Sequence, residues 1–375
     1  MIASMHVGGA EKHAVSLVNN LDATRFRIGL CCVKPDGNLA RELDSTRLDS
    51  NFSLNVSSKL EWRAVRELAR RIDEEQIDVI VCTNGYPLLY ALLASRRARR
   101  KVQLVEVFHT TGYSQQLKSR LRMLLNRFAF RRCELVIYVS YKQREFWRAR
   151  GLRAKRDIVI QNGIDAEYFT DRSTPQQKAA TRAEFGFAPS DFVVGICAAL
   201  RVEKAHGDLL RALRRLRDGG VPAKLLIIGD GSQRGEIERQ IAELKLSGHA
   251  VIAGHRNDVR PYIACCDVMT LTSHAIETFS IAALESMALG KPVVLTRIGG
   301  AEEQVRHGAN GFLFEPGDVA TLAHHLRRLT AATDRLSMGA MAARDVRERF
   351  TVQRMVERFT EELQQLTDAG LPLER

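Results

Sequence analysis

The chain of 375 residues is 45% hydrophobic and 27% charged, the balance of a soluble globular protein long enough for two hydrophobic cores. No apolar run reaches the roughly 18 residues that cross a bilayer, and no charged-then-apolar leader precedes the first element, which implies a cytoplasmic location. The net charge of +12 is concentrated between Arg96 and Arg156, where 18 Lys/Arg face three Glu and no Asp, so that an anionic surface is a plausible partner for this stretch.

In chain order, Met1 to Ser4 reads as the end of a strand before the glycine-rich loop Met5 to Gly9. A helix then runs to about Leu21, and Gly9 at its start would let a ligand approach the backbone and the helix N-terminus. Strands are expected at Phe26 to Val33 and Phe52 to Val56, and a helix at Glu61 to Glu75. The strand Val79 to Cys82 is followed by a helix, and the strand Val102 to Phe108 delivers His109, Thr110, Thr111 and Gly112 at its C-terminal end. A basic helix to about Arg132, the strand Leu135 to Val139 and the apolar run Ile158 to Ile160 complete this half. A second series repeats the alternation: strand Phe192 to Cys197, helix from His206, strand Lys224 to Ile228, helix from Ser232, strand Ala250 to Ile252, helix Val259 to Ala264 and strand Asp267 to Leu271. After the helix Ile281 to Leu289 come the strands Val293 to Leu295 and Gly311 to Phe314, then helices to about Asp368. Strands alternating with helices at this spacing predict an α/β fold with two parallel, doubly wound sheets, whose ligands sit beyond the strand C-termini.

The chemistry-bearing residues cluster at those C-termini. Ser280 is placed as an N-cap, since its hydroxyl can accept from the next turn, and Gly290 stands where a helix end takes a left-handed residue. The helix N-terminus suits a phosphate, and Glu277 before it and Glu285 within it can accept from hydroxyls. Lys204 and Arg201 place two cations in the loop after the strand ending at Cys197. Gly229-Asp-Gly-Ser232 has the strand-loop-helix form of a phosphate-facing turn. No His/Cys/Asp cluster has metal-ligand spacing, so no metal and no cofactor are expected. The cysteines are odd in number and make no C-x-x-C pair; Cys31, Cys32, Cys82 and Cys197 lie in apolar runs, as buried thiols do.

The segment HAIETFSIAALESMALGKPVVLTRIGGAEE (His274 to Glu303), continued by HGANGFLFEPGD (His307 to Asp318), resembles the E-x7-E signature of the retaining GT-B glycosyltransferases of family four, group 1. The "NGID" at Asn162 to Asp165 resembles the element that closes the first domain there. The resemblance spans nearly the whole chain and is strongest from Ala198 to Asp318. It implies two Rossmann-like domains: an acceptor-side domain, 1–167, with the C-terminal helix 352–375 packing back on it, and a nucleotide-sugar domain, 168–351. Lys204, with Arg201 in place of the Arg that the family carries at the position of Ala199, would clamp the donor diphosphate. Glu285 would hold the ribose and Glu277 the sugar. The backbone near Phe279, Ser280 and Ile281 would face phosphate and sugar, Arg256 would mark the loop beside the base, and His109 would orient a sugar hydroxyl. The implied reaction is retaining transfer from a UDP- or GDP-sugar to a glycan or lipid-linked acceptor in cell-surface polysaccharide or glycolipid synthesis. It would run by front-face attack, without a protein nucleophile. Residues 96–156 would then rest on the anionic inner face of the membrane. Two rivals are a nucleotide-sugar epimerase on the same fold and a non-enzymatic basic module; nucleic acid is not expected, because aromatic residues are not interleaved with the cations.

Overall fold

The computed structural model describes residues 1–6, 8–35, 37–110, 117–275 and 277–370, with the backbone alone at 38, 117–122 and 369–370. The chain forms two compact units, Met1–Asn162 with Val352–Arg375, and Gly163–Thr351. Both are α/β with parallel sheets.

The first unit runs α1 (Gly9–Asn20), β1 (Gly29–Cys32), β2 (Ser50–Ser53), α2 (Trp62–Glu74), β3 (Val79–Thr83), α3 (Gly85–Ser95), β4 (Gln103–Phe108), α4 (Leu117–Phe130), β5 (Leu135–Tyr138), α5 (Tyr141–Ala149) and β6 (Arg156–Val159). β3-β4-β5-β6 form one parallel sheet and β1-β2 a second. Met1 to Ala3 bridges them: the Ile2 N–H donates to Cys31 O (3.0 Å), and the Thr83 N–H donates to Met1 O (2.9 Å). The strand expected from Phe26 begins only at Gly29, because Ile28 spends its N–H on the Asp49 carboxylate (2.8 Å) rather than on a ladder. Leu135 to Tyr138 are all buried, the near-continuous apolar run that a sheet covered on both faces requires.

The second unit runs α6 (Pro175–Glu184), β7 (Phe192–Cys197), α7 (His206–Asp218), β8 (Ala223–Ile228), α8 (Arg234–Glu243), β9 (Ala250–Gly254), α9 (Arg260–Ala264), β10 (Val268–Leu271), α10 (Ile281–Ala288), β11 (Val293–Thr296), α11 (Ala301–Gln304), β12 (Gly311–Phe314), α12 (Val319–Arg328) and α13 (Ala332–Arg349). Its sheet is parallel throughout, in the order β12-β11-β10-β7-β8-β9. The order reverses at β7 and β10, the switch point at which open α/β sheets place their ligands. The two ends of this unit meet: the Ile164 N–H donates to Phe350 O at 3.0 Å.

The last helix, α14 (Val352–Gly370), belongs to the first unit. The Phe359 ring lies 5.5 Å from that of His13, and the Gln103 amide donates to Leu366 O at 2.6 Å. All seven cysteines are thiols, six buried and Cys197 half-buried.

Candidate active site

The loops after β7 and β10 lock onto each other at the switch point. Beyond β7 the backbone makes a 3₁₀ turn, Val202–Lys204, and then enters the left-handed region at Ala205 (φ 48°) before α7. The Thr272 hydroxyl donates to Lys204 O at 2.9 Å, and the His274 N–H donates to Glu203 O at 2.9 Å. This brings Lys204 Nζ to 2.6 Å from Glu277 Oε2, an oxygen that also accepts from the Ser273 hydroxyl at 3.1 Å. Both charged side chains are less than a fifth exposed. Lys204 thus pairs with the first acid of the signature, not with its neighbour Glu203. Arg201 is exposed, three residues before it.

Glu277 is carried by a backbone that nothing but glycine at 299 could pack against. Gly299 has φ 53°, and a Cβ there would come within 1.8 Å of Glu277 O. The next N–H, of Gly300, donates to Thr278 O at 2.7 Å. Ile276 lies outside the described residues.

α10 begins as its sequence predicts. The Ser280 hydroxyl accepts from the Ala283 N–H at 3.2 Å, and Gly290 adopts φ 72° past the helix end. The buried Gln304 amide clamps Ser280 from both sides, accepting from its N–H (3.2 Å) and donating to its carbonyl (2.8 Å). The Ile281 and Ala282 N–H groups have no acceptor among the described residues, and they form the positive end of the helix. Phe279 is buried, 5.5 Å from the Phe350 ring, so only its backbone could meet a ligand. Glu285 is buried on α10, one of few carboxylates so placed.

Gly229 packs against the loop after β7; a Cβ there would lie 2.0 Å from Ala198 O. The turn Gly229-Asp-Gly-Ser232 differs from its expected form in one detail, the start of its helix. The Gly231 N–H donates to the Asp230 carboxylate (2.7 Å), and the helix opens at Arg234, not at Ser232. Arg256 lays its guanidinium over the Tyr262 ring at 4.8 Å. The HGANGF motif is structural: the Asn310 amide donates to the Asp345 carboxylate (2.6 Å), which also pairs with Arg306 (2.7 Å).

In the first unit, Gly9 is the first residue of α1, and a Cβ there would meet nothing within 4 Å. His109 follows β4, its N–H donating to Asn84 Oδ1 at 3.0 Å. The Thr110 carbonyl that follows accepts from the Trp147 indole N–H at 2.6 Å and the Gln143 amide at 3.1 Å. Burial, with His13 beside it at 4.8 Å between ring centres, holds His109 well below the ordinary imidazole pKa; burial lowers His13 to about 4. A neutral His109 can orient a hydroxyl without competing as a cation. Thr111 and Gly112 lie outside the described residues.

Gln304, Ser273, Asn84 and His13 escape a reading of the sequence, because each acts through a fold contact rather than a motif. Among the described residues no group of three His, Cys, Asp or Glu could hold a metal ion.

Residues 177–344 match the family of glycosyl transferases group 1, and residues 7–168 match glycosyltransferase family 4. Solved structures agree: Anabaena HepE in complex with UDP-glucose is 26% identical with a TM-score of 0.84, over 97% of this chain and 99% of that one. The chain belongs to the group 1 glycosyltransferases of the GT-B fold. Among relatives of this glycosyltransferase, the N-acetyl-alpha-D-glucosaminyl L-malate synthase of Bacillus anthracis is 26% identical over 82% of this chain and 78% of that protein. The lipopolysaccharide core biosynthesis glycosyltransferase LpsE of Rhizobium meliloti is 29% identical over 86% of each. The shared group 1 identity makes the enzyme a transferase, and places the lysine, acids and helix N-terminus described above in the half that matches the group 1 family.

Proposed function

We propose that the enzyme transfers a sugar, with retention at the anomeric carbon, from a UDP- or GDP-sugar to a glycan or lipid-linked acceptor of the cell surface. The observation that carries this reading is the Lys204–Glu277 pair at the switch point, next to the α10 N-terminus. A donor diphosphate entering there would draw Lys204 to itself and release Glu277 to the sugar hydroxyls. Charge growing on the leaving phosphate is stabilised most by a fixed cation and by a helix N-terminus, so transition-state binding exceeds ground-state binding. These groups fill the role a divalent ion would otherwise take, which supports metal-independent transfer. Glu285 would take the ribose, Arg201 a second phosphate contact, and the Gly229 and Arg256 loops the nucleotide's surroundings. His109 would orient a sugar hydroxyl, Gly9 would let the donor approach, and the first unit would take the acceptor. HepE's complex with UDP-glucose supports a nucleotide-sugar donor, and LpsE's name supports an acceptor of the lipopolysaccharide type.

The high positive charge of residues 96–156 supports an enzyme that works on the inner face of a membrane. Among the described residues no helix is long and apolar enough to cross one. The test is a thermal-shift panel of UDP- and GDP-sugars, followed by acceptor-dependent nucleotide release and NMR assignment of the product anomer. Nucleotide released without any acceptor, together with an epimerised sugar, would replace transfer by epimerisation. An inverted anomer would remove retention.

A further inference from the structure

Four large apolar side chains of the first unit stand in solvent close to arginines that no carboxylate neutralises. On α4, Leu124, Leu125 and Phe128 are 59%, 55% and 46% exposed, at the spacing of one helical face. Trp62, the first residue of α2, is 51% exposed. The link between the two helices is the end of α3. The Arg97 guanidinium lies 5.2 Å from the centre of the Trp62 ring, and that of Arg96 lies 5.6 Å from Phe128. The Arg132 guanidinium lies 3.7 Å from the centre of the same ring. None of these three arginines has a carboxylate partner among the described residues, whereas neighbouring Arg100 pairs with Asp78. The nearby Asp73 is taken up by the Arg99 and Arg100 N–H groups.

Single exposed leucines need no explanation, but aromatic and aliphatic tips alternating with unpaired arginines do. An anionic leaflet edge has the matching layers: acyl-chain boundary for the tips, and phosphates just above it for guanidinium groups. A nucleic acid would use the arginines and rings but has no use for Leu124 and Leu125. We propose that the Trp62–Phe128 patch inserts into an anionic lipid surface, with Arg96, Arg97 and Arg132 at the phosphate level. The inference rests on the membrane reading above. It deepens it by naming the contact, which includes Trp62, outside the basic stretch.

The chain has two tryptophans, and Trp147 is 1% exposed, so a change in emission reports Trp62. The experiment mixes the full enzyme with vesicles of phosphatidylglycerol in phosphatidylcholine, with and without lipids brominated near the headgroup. The expected results are a blue shift, quenching by the brominated lipid, and loss of both in Trp62→Phe. Partitioning should fall about fivefold for each arginine changed to Gln and about tenfold for Phe128→Ser or Leu125→Ser. Because every changed side chain is exposed, melting curves should stay unaltered, which separates lost binding from lost folding. Undiminished vesicle binding in these variants would overturn the patch while leaving the membrane reading intact. No binding by the wild type would overturn both. Self-association lost in the same variants, without vesicle binding, would assign the face to a second copy and overturn the inference as well.

Discussion

The Lys204 ammonium and the Glu277 carboxylate, 73 residues apart in sequence, are 2.6 Å apart at the head of the second sheet. Lys204→Ala is therefore expected to do two things: remove charge stabilisation from the leaving phosphate, and leave Ser273 as the remaining side-chain partner of Glu277 among the described residues. Turnover should fall about a hundredfold or more, with a smaller change in donor affinity. Glu285→Ala should behave oppositely, raising the donor KM roughly tenfold as hydroxyl contacts are lost. Steady-state kinetics on a verified donor decide; an intact Lys204→Ala turnover would sink the assignment.

Gly299→Ala tests the geometry beneath that pair. The new methyl would meet Glu277 O in a left-handed backbone, so the loop carrying the acid must move. Activity should be lost while donor-independent properties, such as far-ultraviolet circular dichroism, are kept. A fully active variant would show that the position of Glu277 is unimportant.

Gln304→Ala would take away the acceptor of the buried Ser280 N–H and leave the Ser280 carbonyl with the Leu284 N–H at 3.3 Å. The expected destabilisation is about 1–3 kcal/mol, a drop of several degrees in Tm, with weaker donor binding besides. Calorimetry with and without nucleotide separates the two effects.

Stability should fall in mild acid through buried histidines. Burial lowers His13 and His206 to about 4, below the unfolded value near 6.5. Between these values the unfolded chain binds protons that the folded one refuses. Each group's contribution is therefore complete above pH 6.5 and is lost as pH falls toward 4, with a slope of up to about 1.4 kcal/mol per unit. Denaturant titrations of wild type and His13→Phe at pH 7.5 and 5 should show a shallower loss in the variant; identical slopes would remove His13 from the account.

On the proposed reading transfer should survive EDTA, since Lys204 and the α10 N-terminus would supply the positive charge at the diphosphate. Activity abolished by chelation and restored by Mg²⁺ or Mn²⁺ would contradict that site.

What could be read from the sequence was local. Ser280 and Gly290 punctuate α10 through contacts within four residues, and the unbroken apolar run Phe192 to Cys197 is β7 to the residue. What could not be read depended on distant partners. The α8 start moved to Arg234 because Asp230 took the Gly231 N–H, and β1 shortened because Asp49 captured Ile28. No local pattern announces that Gln304 will hold Ser280, or that Lys204 will prefer Glu277 to the adjoining Glu203. The short helix α5 also lacks any signal as strong as its Ser140 cap, whose hydroxyl accepts from the Gln143 N–H.

The hydrogen bond from Ile164 to Phe350 gives the second unit a practical property. A chain segment whose two ends are stitched together behaves as an insertion, closed on itself and removable without cutting its own sheet. Residues 163–351 are therefore expected to fold when produced alone, so that nucleotide binding can be tested on them by calorimetry. Residues 1–162 cannot be separated with the same impunity, because without α14 the His13 ring loses its Phe359 neighbour and Gln103 its carbonyl acceptor.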